Sequence, residues 1–141
     1  MSERGKIINE DRARQLRDFT GLLWAGTITP SDIDGFIPYG FQGLVEFRNE
    51  LFVFFELKYK DTNINDGQKK AYARVCDAIK DLPCYFLIAR HEIEDPSKNI
   101  IVANCEVIEF RYKKEWRKPQ NKWTVKEFIN KALEKHHVVF Y

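Results

Sequence analysis

Residues 51–58, LFVFFELK, constrain the fold more than any other stretch. Five apolar residues in a row, β-branched or aromatic after the first, leave no polar face, as in a central strand covered on both sides. A chain carrying such a strand needs packing layers above and below a sheet, which makes it α/β. The polar residues arrive only where the strand finishes. Glu56 and Lys58 are two apart, so their side chains leave the same face, while Leu57 points the other way. An acid and an amine therefore share one surface at a strand end.

The flanking pattern gives the element order. Residues from Asn9 to about Leu23 carry Ala13, Leu16, Thr20 and Leu23 near helical period. Three extended segments are predicted next: Ser31 to Tyr39, Leu44 to Arg48, and Leu51 to Tyr59, with a hairpin through Arg48-Asn49-Glu50. Asn65 or Asp66 caps a helix running to about Leu82 before Pro83, with Ala71, Val75, Ile79 and Leu82 as its apolar stripe. CYFLIARH (84–91) reads as a second buried strand, and Ile100 to Tyr112 as an extended segment or hairpin arm. Thr124 and Glu127 form a capping box opening a last helix that buries Val125, Phe128, Ile129, Ala132 and Leu133. The terminal VVFY suits an edge strand. With 141 residues, 44% hydrophobic and 31% charged, the expectation is one domain over 1–141. Its mixed-sheet α/β core spans about 9–91, and a C-terminal strand and helix extension spans about 100–141.

Asp34, 22 positions ahead of Glu56, lies on an extended segment that a meander brings beside Glu56. Two carboxylates at hydrogen-bonding range repel, so unless one is protonated the pair calls for a cation. Mg²⁺ suits it, being hard, octahedral and content with one or two carboxylates plus water and phosphate. A nearby Lys58 ammonium stabilises negative charge developing on a phosphate, and phosphodiester hydrolysis follows as the chemistry. Asp32 has the same parity as Asp34 and remains an alternative ligand, or a turn residue. Asp34 is preferred because GFI continues from it as a strand. Gln68 sits at the start of a helix entered from the Lys58 strand, where its amide reaches toward the site. Arg90 and His91 close CYFLIARH, and a parallel crossover would place them on the same sheet edge.

In these residues the chain resembles the PD-(D/E)XK, or restriction-endonuclease-like, nucleases. Their core of helix, three strands, helix and strand is similar to the order read from Asn9 to His91. The motif appears as Asp34, Glu56-Leu57-Lys58 and Gln68. SDIDGFI, FFELKY and DGQKKAYARV are similar in wording to small phage and prophage nucleases and to the Holliday-junction-resolvase and VRR-type branches. One departure is that Pro30 stands four residues ahead of Asp34 rather than directly before it. The resemblance implies an Mg²⁺-dependent endonuclease acting on DNA phosphodiesters, possessing structure specificity suited to replication, recombination or repair, with Mn²⁺ substituting. Asp34, Glu56 and the Leu57 carbonyl would hold the metal, with Lys58 and Gln68 completing the catalytic set. Asp32, Glu10, Tyr72 and His91 are accessory candidates. The competing class is a catalytically silent DNA- or protein-binding module on the same fold.

The net charge of +2 does not announce a nucleic-acid binder, but it averages unlike regions. Residues 111–126 gather seven basic residues against one acid, with Tyr112, Trp116 and Trp123 among them. Arg111, Lys113, Lys114, Arg117, Lys118 and Lys122 are thus candidate phosphate contacts, or a solvated basic edge. Arg12, Arg14 and Arg17 are weaker candidates. No separate recognition domain is visible, which points to reading of substrate shape and to a homodimer. Cys76, Cys84 and Cys105 have no metal-ligand spacing and read as reduced structural thiols. His136 and His137 are expected at a helix end, where positive charge suits the dipole. The charged N-terminus lacks a signal peptide's apolar stretch, which predicts a cytoplasmic protein of a bacterial or phage-infected cell.

Overall fold

The computed structural model describes residues 18, 20–22, 32–40 and 49–138. Contacts divide the chain into two compact units, Met1–Pro30 and Ser31–Tyr141. In the first, only Asp18 and Thr20–Leu22 are described. Thr20 donates its backbone N–H to the Asp18 carboxylate at 2.8 Å, and Gly21 has φ +91°. Residues 20–22 thus form a turn where the sequence predicted the last turn of a helix. The remainder of that helix, with Glu10, Arg12, Arg14 and Arg17, lies outside the described residues.

All regular elements described belong to the second unit. They are strands β1 (Gly35–Tyr39) and β2 (Leu51–Tyr59), helix α1 (Asp66–Ala78), strands β3 (Cys84–His91), β4 (Glu106–Tyr112) and β5 (Glu115–Arg117), and helix α2 (Val125–Lys135). A short 3₁₀ turn, Val102–Asn104, precedes β4. The strands form one mixed sheet in the order β1-β2-β3-β4-β5, with β2 and β3 parallel and the other neighbours antiparallel. The predicted strand at Leu44–Arg48 lies outside the described residues, and β2 pairs directly with β1. Gly40 ends β1 at φ +92°, where an added Cβ would stand 2.5 Å from the Asn49 carbonyl oxygen, so only glycine fits.

The double-sided character of 51–58 is met by two apolar clusters. On one face Phe52, Phe54 and Phe86 pack with Tyr72 and Cys76 of α1. On the other, Leu51, Val53, Phe55, Tyr85 and Leu87 pack with Val125, Phe128, Ile129 and Ala132 of α2. The Thr124–Glu127 capping box forms as expected. In α1 the cap is Asn65, whose side chain accepts the Gln68 N–H at 2.7 Å. Its buried stripe is displaced from the predicted one: Tyr72 and Cys76 are buried, while Val75 is exposed. The helix also ends four residues early, because Ile79 is already extended. Leu82 precedes a proline, which disfavours helix, and the Pro83 carbonyl accepts the Phe52 N–H at 3.0 Å as the chain enters β3.

The long extended arm read over 100–112 is instead the 3₁₀ turn followed by β4, and β5 falls inside the basic run. Lys113 and Lys114, both at positive φ (50° and 63°), make the two-residue connection. The three cysteines are free and buried. No described helix is long and apolar enough to cross a membrane. Of the terminal VVFY only Val138 is described, and it is buried.

Candidate active site

β2 ends as its side chains turn polar, and Glu56 is the one buried charged residue, 6% exposed, among those described. The antiparallel register pairs Gly35 with Phe55, so Asp34, one step before β1, stands across from Glu56. The Asp34 N–H donates to the Phe55 carbonyl at 3.1 Å, and its carboxylate accepts the Leu57 N–H at 2.7 Å. Asp34 therefore continues the ladder with its side chain. Its carboxylate also shares a hydrogen bond with the Glu56 carboxyl.

Burial first, then that hydrogen bond and the charge of Asp34, push the Glu56 pKa up to about 8, while Lys58 pulls it down and Asp32 adds to the rise. At neutral pH the pair thus retains a proton where a cation would otherwise sit. Tyr72 from α1 reaches the same spot. Its hydroxyl meets Glu56 Oε2 and lies 3.0 Å from the Asp32 carbonyl oxygen, and its ring stacks on Phe86 with centroids 4.3 Å apart. The buried phenol therefore links the segment before β1 to the end of β2.

The aspartate ambiguity narrows on this geometry. Asp34 touches Leu57 and Glu56 with its carboxylate, whereas Asp32 is held through its main-chain carbonyl. In an extended strand the N–H and C=O of one residue point to the same side. The Leu57 carbonyl is accordingly directed toward the Asp34 side. Among the described residues no three His, Cys, Asp or Glu side chains converge as a metal-ligand group. A cation here would be held by Asp34, Glu56 and that main-chain oxygen, an all-oxygen set that fits a hard divalent ion and leaves positions for water and phosphate.

Lys58 shares the face of Glu56 and is half-buried. In the parallel register it pairs with Arg90, so two cations stand side by side on that face. Arg90 is anchored by Glu106 at 3.1 Å. His91, one step on, faces the other way beside Tyr59, with ring centroids 5.6 Å apart. The strand alternation thus brings Arg90 toward the site and turns His91 away from it. Gln68 heads the buried stripe of α1, one helical turn before Tyr72, at the end of the helix near the finish of β2.

The basic run is divided by the hairpin. Arg111 lies on the α1 face with its guanidinium forked onto Asp77 at 3.1 and 2.6 Å, which commits it to an internal ion pair. Lys113 and Lys114 occupy the hairpin tip beyond Tyr112, and Arg111 pairs with Phe86. The tip is therefore near the start of β2 and β3, on the order of 15 Å along the strands from Glu56. Arg117 pairs with Phe110 on the α2 face. Lys118 and Lys122 are exposed in the connection that follows. Tyr112 and Trp123 also pack on the α2 side, while Trp116 packs on the α1 side. His136 caps α2, but burial, then Lys135, Lys113 and His137, hold its pKa below the usual value. It stands at the helix end as expected, 2.8 Å from the Tyr85 hydroxyl, in surroundings that disfavour the positive form.

Comparison with protein-family models, curated proteins and solved structures returns no match for this chain.

Proposed function

We propose that the protein is a metal-dependent nuclease of the restriction-endonuclease-like kind, hydrolysing DNA phosphodiester bonds at Asp34, Glu56 and Lys58. The observation that carries the reading is the paired carboxylates of Asp34 and Glu56, with Lys58 on the same face of β2. An ordinary strand end has no reason to bury a glutamate against a second carboxylate, because the pair raises its own ionisation cost. The described order β1, β2, α1, β3, with β2 and β3 parallel, is compatible with part of the core that the resemblance implies. A bound Mg²⁺ would supply charge neutralisation on the phosphate and a lowered pKa for the attacking water.

The chain's own residues divide the remaining work. Asp34 and Glu56 present oxygens, and Leu57 fixes Asp34 through its N–H while directing its carbonyl to the same side. Tyr72 holds the Glu56 carboxyl in one orientation. Lys58 places an ammonium where negative charge develops on the phosphate, and Gln68 at the head of α1 is positioned to orient water or a phosphate oxygen. The proposal includes a cytoplasmic setting and a homodimer.

The test is a cleavage panel of labelled duplex, flap, junction, single-strand and RNA substrates with Mg²⁺ or Mn²⁺, run on wild type and Lys58→Ala. Removing one such stabilising group costs on the order of 10²-fold in rate. The expected signature is metal bound, DNA bound and almost no cleavage by the variant. Wild-type speed in Lys58→Ala would overturn the reading. A variant set that binds DNA without any wild-type cleavage would favour the silent binding module.

A further inference from the structure

The α2 side of the sheet carries a cleft of about 240 Å³, lined by Phe110, Tyr112 and Trp123 and by three cations, Arg117, Lys131 and Lys135. No carboxylate lines it. We propose that this cleft binds an unpaired nucleic-acid strand, with phosphates on the three cations and a base against the rings. The site lies almost wholly in the C-terminal extension and on the opposite face of the sheet from Glu56. It rests on the nuclease reading only for the claim that this strand is part of the substrate.

A second cleft shows why the placement of charge matters. On the α1 side, Lys69, Lys70, Arg74 and Arg111 surround Trp116 in a cleft of about 490 Å³, a similar mixture of cations and a ring. There two carboxylates, Asp66 and Asp77, join the lining, and two of the four cations are paired, Lys69 with Glu109 at 2.8 Å and Arg111 with Asp77 at 2.6 Å. On the α2 side Arg117 pairs with Glu115 at 2.9 Å, outside the cleft lining, while Lys131 and Lys135 make no ion pair among the described residues. They stand one turn apart on α2, so the helix itself holds two like charges over one concavity. Lys135 Nζ lies 4.8 Å from the Tyr112 ring centroid and Lys113 Nζ 5.5 Å from it. The helix dipole accounts for a lysine in the last turn but not for Lys131.

Two cations without an ion pair among the described residues, Lys131 and Lys135, beside the half-buried rings of Phe110 and Trp123 complement a ligand that is both polyanionic and flat-faced. Duplex phosphates would satisfy the charge, yet duplex bases remain stacked on each other and cannot use the rings. An unpaired strand uses both. From this cleft it would reach Glu56 by passing the β5 edge, three strand spacings or about 14 Å from β2.

The test measures fluorescence anisotropy of labelled oligo-dT, oligo-rU and a blunt hairpin duplex, each about 20 nucleotides and so longer than one single-strand site, on the full chain in EDTA. Lys131→Glu/Lys135→Glu is compared with the charge-matched Lys70→Glu/Arg74→Glu. The first pair is expected to weaken oligonucleotide binding at least ~10-fold and to flatten the log–log salt slope by about 1.4, the share of two single-strand phosphate contacts. The second pair should change it less than ~3-fold, and wild type should prefer unpaired strands to the hairpin. The dT and rU arms assign the sugar. Should the glutamate pair disturb folding, Lys131→Ala/Lys135→Ala is read in the same way. Equal loss from both charge-matched pairs, undiminished binding by the α2 pair, or equal affinity for the duplex would overturn the cleft. Wild type that binds oligonucleotides but cuts nothing with Mg²⁺ would overturn the nuclease reading and leave the cleft standing. Cleavage with binding untouched by the α2 pair would do the reverse.

Discussion

The Asp34 carboxylate accepts the Leu57 N–H at 2.7 Å, so a side chain completes the ladder between the segment before β1 and the end of β2. The same carboxylate shares a hydrogen bond with Glu56. A backbone contact and a charge conflict therefore meet in one residue, and they pull stability in opposite directions.

Asp34→Ala separates them. The variant leaves the Leu57 N–H without its partner, at a cost of about 1 kcal/mol, and relieves the repulsion that raises the Glu56 pKa. The expected melting temperature is close to wild type, while cleavage falls by at least ~10²-fold because a proposed metal ligand has gone. Thermal melting and a single-turnover assay check the two halves. Wild-type turnover would remove Asp34 from the site, and a large loss of stability would make its role structural.

The raised Glu56 pKa sets a pH dependence. A carboxyl whose folded pKa is about 8, against an ordinary value near 4.5, binds its proton more tightly folded than unfolded. Its contribution to stability is therefore full below the ordinary carboxylate range and is lost as pH rises through about 8. The metal-free protein should lose stability over that window, and Glu56→Gln, which cannot ionise, should lose less of it. Mg²⁺ must compete with the same proton, so its affinity should rise with pH up to about 8 and then level off. Denaturant melts and metal titrations across the window test both; an affinity flat with pH would contradict the shared proton.

How far the sequence went is visible in particular residues. β2 and β3 were legible to the residue because 51–59 and 84–91 are apolar runs whose type and length leave little choice. The capping box at Thr124 was equally plain. The stripe of α1 was misjudged at Cys76, which carries a polar tip yet is buried, and at Val75, which is apolar yet exposed. Glu56 and Lys58 were placed on one face by parity alone. The contact of Asp34 with Glu56 needed the direct pairing of β1 and β2, a long-range fact that no local pattern carries. Lys131 and Lys135 went unnoticed for the same reason: they face Arg117 only once β5 folds back.

β5 was missed because its turn does not announce itself. Two-residue hairpin loops with both residues at positive φ ordinarily use Asn-Gly, and here they are Lys113 and Lys114 at 50° and 63°. Lysine has no local compensation for that backbone, so each position costs on the order of 1 kcal/mol. Lys113→Asn/Lys114→Gly should stabilise the protein by about 1 kcal/mol or more, read as a higher denaturation midpoint at unchanged slope. Unchanged or lower stability would mean that the turn is not strained as its angles imply.

Tyr72→Phe isolates one hydroxyl. The ring keeps its stack on Phe86 and its buried position, so the apolar packing of α1 on the sheet should be retained. The hydroxyl's two contacts, with Glu56 and with the Asp32 carbonyl, are lost together. Glu56 then loses the group that fixes its orientation, and the segment carrying Asp32 and Asp34 loses its tie to α1. A loss of about 1–2 kcal/mol in stability is expected from one buried and one part-buried hydrogen bond that share one hydroxyl. Stability alone would not distinguish a positioning role from a packing one. Divalent-ion affinity does, because a loosened Glu56 no longer presents its oxygen beside Asp34. The expectation is metal affinity weakened by ~10-fold or more, with kcat reduced at saturating metal and DNA affinity in EDTA unchanged. Metal affinity and kcat that both match wild type, in a variant destabilised to the same degree, would confine Tyr72 to the core.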